Sequence, residues 1–508
     1  RLKARAALDF DVARGIVLDA SGLLISDRGV TTYAASGCTP FTVERLELGE
    51  NDVDTLKGSL CAIDRPLVEL REGGWRADGK LSEVAANAPF LEARFEGVEG
   101  SLAVTGAAKG IGVQTRIASA RIIDTAAVRR FHPLTATGTA ALANDAWTGA
   151  FDVKSGDQPV AKVALRHDGP SEKGGVSFDT GDLVFNEPGL QPHDLTPLVV
   201  EAIQSPVRGQ VRFTGRFDWD PAVPLGSSSG RLVIPGIDFA SPAGPVQGLK
   251  GQIDFTSLAP LTTAEGQTLT VDRLETVTPL TALGLTFTLG EAALKVEGGQ
   301  IQAAGGVLKL EPLSVPLDGK QAFDGVIALD RVQLGELIAS AGFADKVQLD
   351  AVVSGRLPFR WDPVAGVQVQ AGNLTAVQPG RVSIQRDALT GLEAAGGGAE
   401  VPPGTVEDLA YQAMENLAFD SLTADVNSLE AGRVGVLFHI KGRHDPPERQ
   451  ELRLSISDLI SRKFLERTLP LPSDTGIDLT LDTSLNLNEL VQDILAARRP
   501  PPVEGQTP

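Results

Sequence analysis

Residues 433–441 read Arg-Val-Gly-Val-Leu-Phe-His-Ile-Lys. Val434, Val436, Phe438 and Ile440 are apolar. Arg433, Gly435, His439 and Lys441 between them are small or polar, and Leu437 is the one exception. Successive side chains on a strand point to opposite faces, so a period of two means a strand with one greasy side. The same pattern recurs elsewhere. Leu283, Leu285, Phe287 and Leu289 alternate with Gly284, Thr286, Thr288 and Gly290. Leu452, Leu454 and Ile456 alternate, and so do Ile477, Leu479 and Leu481. Short turn signals separate the runs: Gly298-Gly299, Gly305-Gly306, Ala431-Gly432 and Pro446-Pro447. This pattern predicts an antiparallel meander.

The composition agrees. The chain has 508 residues, more than one ordinary core can hold, so it either divides into domains or grows by repetition along one axis. Aromatics are 5% and there is one Met, which leaves Val, Leu, Ile and Ala to build the apolar surface. A net charge of −19 excludes the basic stripe that phosphate backbones require, so nucleic acid is not an expected partner. No run reaches the ~18 apolar residues of a membrane span. The chain starts at Arg1, and Leu8–Val12 already reads as a strand, as expected of a fragment with a leader or anchor upstream.

Helical spacing is brief and rare. It predicts helices at Leu195–Ile203, Leu334–Ala341, Glu407–Leu417 and Asn488–Ala497, with a polar, Pro-rich and disordered tail over 500–508. The body also echoes itself. A helix and then Gly215-Arg216 with Phe217-Asp218-Trp219-Asp220-Pro221 is matched by a helix and then Gly355-Arg356 with Phe359-Arg360-Trp361-Asp362-Pro363. We read this as a duplicated unit.

Chemistry-bearing motifs are missing. Five histidines lie apart from one another, with His132 and His167 read as loop residues and His444 as a turn residue, and none has a second ligand at metal spacing. There is no Gly-x-Ser-x-Gly, P-loop or His-Glu-x-x-His. Gly106, Gly110 and Gly112 lack the strand–helix context of a phosphate loop. Asp218 and Asp220 end a strand, where Asp before Pro starts a turn. The sequence thus predicts no enzyme, no catalytic residue, no cofactor and no metal. Cys38 and Cys61 are the two cysteines. They suit one disulfide in an oxidising compartment or two buried thiols.

Three segments resemble a known family. Residues 248–255 (Gly-Leu-Lys-Gly-Gln-Ile-Asp-Phe), with 258–263 and 266–271, resemble the YdbH branch of the AsmA-like intermembrane lipid transporters. Residues 371–381 resemble another AsmA-like segment. Residues 410–422 resemble the branch's C-terminal domain, which carries an older "dicarboxylate transport" label. The resemblance covers roughly 150–498, and the Cys38/Cys61 pair looks like a cysteine pair of these proteins. It implies a mainly β fold: a long curled antiparallel sheet forming an open groove, with a few short helices. It also implies a periplasmic protein anchored in the inner membrane by an upstream segment. Phospholipid would move along the groove to the outer membrane, and the C-terminal edge would pair with a small outer-membrane lipoprotein by strand addition. On this reading the chain divides into an N-terminal β segment (1–150), a groove with repeats (151–400), a C-terminal domain (401–498) and a tail (499–508).

A trough leaves its greasy face open to a guest where a sandwich would bury it. With strands ~4.8 Å apart, ~25–30 of them give a channel on the order of 130 Å. The expected lipid-facing residues are Leu285, Phe287, Leu289, Val434, Val436, Phe438, Ile440, Leu452, Leu454, Ile456, Ile477, Leu479 and Leu481. Other functions remain compatible with the same strands: an envelope assembly factor that templates client strands, or a structural β-solenoid with a dry interior. Dicarboxylate uptake fits poorly, because a small dianion needs fixed Arg or Lys donors in a pocket.

Overall fold

The structure, a computed structural model, describes residues 1–10, 13–47, 52–108, 110–276, 278–340, 347–384, 405–429, 433–451 and 471–486. Strand makes up 71% and helix 4%, so nearly all apolar side chains must find their place on a sheet face. Thirty-two strands among the described residues join in one antiparallel sheet. The chain divides into two compact units, Arg1–Ser241 with Lys250–Ala264, and Pro242–Leu249 with Glu265–Pro508.

In the first unit the meander is plain. Strands Gly74–Ala88, Ala93–Ala107, Gly110–Asp124, Leu134–Ala143, Ala146–Ser155, Gln158–Asp168 and Lys173–Asp179 each pair with the next. Lys173–Asp179 then pairs with Gln204–Asp220. Local chemistry sets the turns. Ala143 pairs with Ala146 across Asn144-Asp145, which have φ of 51° and 58°. Short polar side chains tolerate this left-handed region, and such a two-residue turn matches strand twist.

In the second unit, Leu280–Leu289 pairs with Ala293–Ala303, which pairs with Gly306–Leu310. The ladder continues through Phe323–Gln333, Val352–Asp362, Gly372–Ala376, Leu417–Ser428, Arg433–His444 and Gly476–Asn486. Gly305-Gly306 is a turn signal as expected, since Ala303 pairs with Gly306. Gly298-Gly299 is not a turn. It lies inside the strand Ala293–Ala303, where the register shifts and Gly299 pairs with Leu285 and Leu310.

Helices occur at Leu334–Ser340 and Thr405–Glu415, close to expectation. The expected helix at Leu195–Ile203 is corrected. Helix occupies only Pro192–Leu195, and Leu195–Ile203 is a series of turns in which Ile203 N–H donates to the Val199 carbonyl. Pro197 explains this, because it lacks the N–H that a continuing helix needs. The expected helix at Asn488–Ala497 and the tail lie outside the described residues. The echo appears in the backbone. Trp219 and Trp361 each sit one residue before an Asp that closes a turn: Asp220 Oδ1 accepts from Ala222 N–H (3.0 Å), and Asp362 Oδ1 from Val364 N–H (2.8 Å).

Cys38 and Cys61 are disulfide-bonded with Cα atoms 4.0 Å apart, slightly below the usual range of about 4.4–6.8 Å. Thr39 pairs with Leu60, so the two cysteines face each other directly across neighbouring strands, where Cα atoms come closest. Two histidines also differ from expectation. His167 lies near the end of the strand Gln158–Asp168, and His444 is the buried last residue of Arg433–His444.

Candidate functional site

Register carries the alternation from strand to strand. In the second unit, Ile301, Leu308, Leu329, Gly355, Leu374, Ala424, Phe438 and Leu481 are successive cross-strand partners. A parallel row runs Leu269, Leu285, Gly299, Leu310, Ile327, Leu357. Directly paired residues share a face, so both rows lie on one side of the sheet. The first spans seven strand spacings, roughly 34 Å. Neither row carries a charged side chain.

Charge collects on the other side, at the residues between. Arg356 pairs with Glu311 at 2.6 Å, Arg360 with Asp324 at 3.1 Å, Lys441 with Asp478 at 3.2 Å and Lys309 with Asp330 at 3.5 Å. His439 also faces that side, with Nδ1 3.3 Å from Thr480 Oγ1.

The first unit repeats the arrangement. Leu102, Thr115, Ala140, Gly149, Leu165, Val176 and Phe217 form one row. Beside it run Gly100, Ile117, Gly138, Phe151, Val163, Phe178 and Gly215. Several strand glycines serve as seats for aromatic rings on the facing strand. An added Cβ would come within 2.6 Å of Phe151 at Gly138, 2.4 Å of Phe178 at Gly215 and 2.5 Å of Phe359 at Gly325. Gly138, Gly215 and Gly325 are therefore packing residues of the apolar face, not turn residues.

In each unit the two strand ends of this face differ. At one end the chain passes through short helices or packed loops, and some apolar strand residues there are buried, while Phe90, Leu91, Leu198, Val200 and Val377 in the turns and loops of the same end are exposed. Val207, Val332 and Val353 are 0% exposed, and Leu417 is 1% exposed. Leu417, Phe419, Leu422 and Ile440 form a buried cluster, with Phe438, Ile477 and Leu479 packed against it. Toward the hairpin turns at the other end some apolar residues stay open, with Phe217 40% and Val367 52% exposed, and others such as Val426 and Val434 are buried.

The expected residues divide accordingly. Leu285, Leu289, Val436, Phe438, Ile477 and Leu479 are half-buried on the apolar face. Phe287, Val434, Ile440 and Leu481 are buried and support it from within. Leu452, Leu454 and Ile456 lie outside the described residues. Sequence reading passed over Leu308, Leu310, Ile327, Leu357 and Leu374, although Leu308-Lys309-Leu310 carries the same period of two.

One hydrolase-like contact set exists. His193 Nδ1 lies 2.8 Å from Ser205 Oγ, and its Nε2 lies 3.3 Å from Asp194 Oδ1. The His193 side chain is half exposed, and Asp194 Oδ2 accepts from Gln191 N–H, so the set orders a helix end in open water. Catalysis of that type relies on excluding water. Among the described residues no His, Cys, Asp or Glu group has metal-site proximity, and no helix is long and apolar enough to cross a membrane.

A single-sheet protein with a long apolar face and its charges paired on the reverse is of the AsmA-like lipid-transport type. A family model, YdbH-like, described as "Intermembrane phospholipid transport protein YdbH", matches residues 33–456. The chain belongs to this family, whose function is intermembrane phospholipid transport. No curated protein and no solved structure matches it.

Proposed function

We propose that this chain is a periplasmic bridge along which phospholipid moves between the inner and outer membranes, with acyl chains against the apolar face. The row from Ile301 to Leu481 carries the reading. Keeping each acyl CH₂ from water is worth ~0.8 kcal/mol, so a lipid travels at tolerable cost only where the lining is unbroken. Half-buried aliphatic residues offer weak and uniform contacts and no deep trap. The Cys38–Cys61 disulfide suits an oxidising compartment.

Residues 1–150, 151–400 and 401–498 are on this reading successive stretches of one conduit, anchored in the inner membrane upstream. Among the described residues the strand Gly476–Asn486 pairs with Arg433–His444 on one side. Its other edge is the place for strand addition by an outer-membrane lipoprotein. Mass spectrometry of lipid copurified with the protein tests the proposal. Stoichiometric phospholipid is expected. A preparation free of lipid, or one carrying client protein in its place, overturns it.

A further inference from the structure

The chain has four tryptophans, Trp75, Trp147, Trp219 and Trp361. Each occupies the second strand position from a hairpin turn. Trp75 follows Gly74 and Trp147 follows Ala146, at the starts of their strands. Trp219 precedes Asp220 and Trp361 precedes Asp362, at the ends of theirs.

In the first unit the register places three of them at one edge of one face. Val104, Val113, Leu142, Trp147, His167, Gly174 and Trp219 form a single row. Trp75 pairs with Gly106, one same-face step beyond Val104 toward the turns. In the second unit Trp361 pairs with Phe323, whose ring stacks on it with centroids 5.3 Å apart, again on the apolar face beside a turn. All four indoles are half-buried. In each unit the opposite edge carries the short helices. Helix Pro192–Leu195 lies at that edge in the first unit, and helices Leu334–Ser340 and Thr405–Glu415 lie there in the second.

Indole has a large apolar body and one polar N–H, and it settles where an apolar phase meets water. A lipid whose chains lie on this face would meet water at the edge where these indoles sit, while Val207, Val332, Val353 and Leu417 toward the other edge are buried. We infer that the tryptophans are positioning residues that mark the glycerol level of the carried lipid. On this inference headgroups pass along the hairpin edge and acyl tails point toward the helix edge. The inference rests on the lipid-bridge reading and adds the orientation of the cargo.

Because every tryptophan lies at that edge, the intrinsic fluorescence of the unaltered chain reports on it alone. The full chain is loaded with phosphatidylethanolamine carrying a nitroxide either near the glycerol end of one acyl chain or near its methyl end. Bound phosphate is counted in each sample. The expected result is a large loss of fluorescence with the glycerol-end label and a small loss with the methyl-end label, at equal loading. Equal loss, or greater loss with the methyl-end label, overturns the orientation and leaves the bridge reading standing. No bound phosphate overturns the bridge reading, and this inference falls with it.

Discussion

The indole of Trp219 lies over the bare Cα of Gly174 on the facing strand, and its Nε1–H donates to His167 Nδ1 at 3.1 Å. A Cβ at Gly174 would come within 2.5 Å of the indole and 2.6 Å of the Arg166 carbonyl oxygen. Gly174→Ala is therefore expected to cost about 1–3 kcal/mol through overpacking. Gly37→Ala, with nothing within 4 Å of the added atom, should cost little. Urea unfolding followed by circular dichroism compares the two, and equal midpoints would show that ring and glycine do not support each other.

Phe438 and His439 test the two faces. Phe438 pairs with Ala424 and Leu481 on the apolar side, and His439 with Thr423 and Thr480 on the charged side. Phe438→Asp puts a carboxylate in the lane, where burying an unpaired charge costs several kcal/mol. It should abolish complementation in cells lacking redundant transporters while protein levels stay near normal. His439→Asp should complement. A photo-crosslinking residue at 438 should capture lipid and one at 439 should not. Equal capture at both positions would remove this strand from the lipid path.

The disulfide offers a separate test. The bond joins residues 23 apart in sequence, and closing a loop of that size stabilises a fold by about 3 kcal/mol in the chain-entropy account. The double variant Cys38→Ser with Cys61→Ser should unfold at lower urea by that amount. Alkylation of protein taken directly from cells should find both thiols blocked, and free thiols there would contradict a periplasmic site.

Acid should loosen the helix edge of the first unit. The Asp124 side chain is 1% exposed. Burial pushes its carboxyl up, but the Arg130 guanidinium at 2.8 and 3.1 Å and the N–H groups of Arg130 and Ala126 outweigh this and hold it at about 2. Arg130 also donates to the Leu91 carbonyl at 2.8 Å, tying residues 125–130 to the turn at Pro89–Leu91. A carboxyl lowered in the folded state stabilises fully above its unfolded value near ~4 and loses that stabilisation as pH falls through about 2. Wild type should exceed Asp124→Asn by roughly 2 kcal/mol at neutral pH. The gap should close between about pH 4 and pH 2 in urea unfolding, and a gap that persists at the acid end would refute the assignment.

The strand run at 433–441 was legible because period two survives without context, and it gave the apolar face, while phospholipid as partner came from the resemblance of residues 248–271, 371–381 and 410–422. Register was not legible. Gly299 pairs with Leu285 on one side and Leu310 on the other, inside what reads locally as a turn. The failure at Leu195–Ile203 has another cause. Apolar spacing suggested a helix, but Pro197 lacks the N–H that a continuing helix needs. The division of the lane candidates into half-buried and buried members was equally hidden. It depends on which neighbours the register brings over each residue, which no single strand records.

The Asp-Pro turns after Trp219 and Trp361 close two copies of one strand-and-turn pattern, and each copy depends on its lateral neighbours alone. A protein assembled this way can be lengthened by copying a hairpin, at ~4.8 Å per added strand, without re-engineering any residue elsewhere. On the bridge reading, reach is then a heritable quantity set by gene length, and a longer or shorter chain would match a wider or narrower gap.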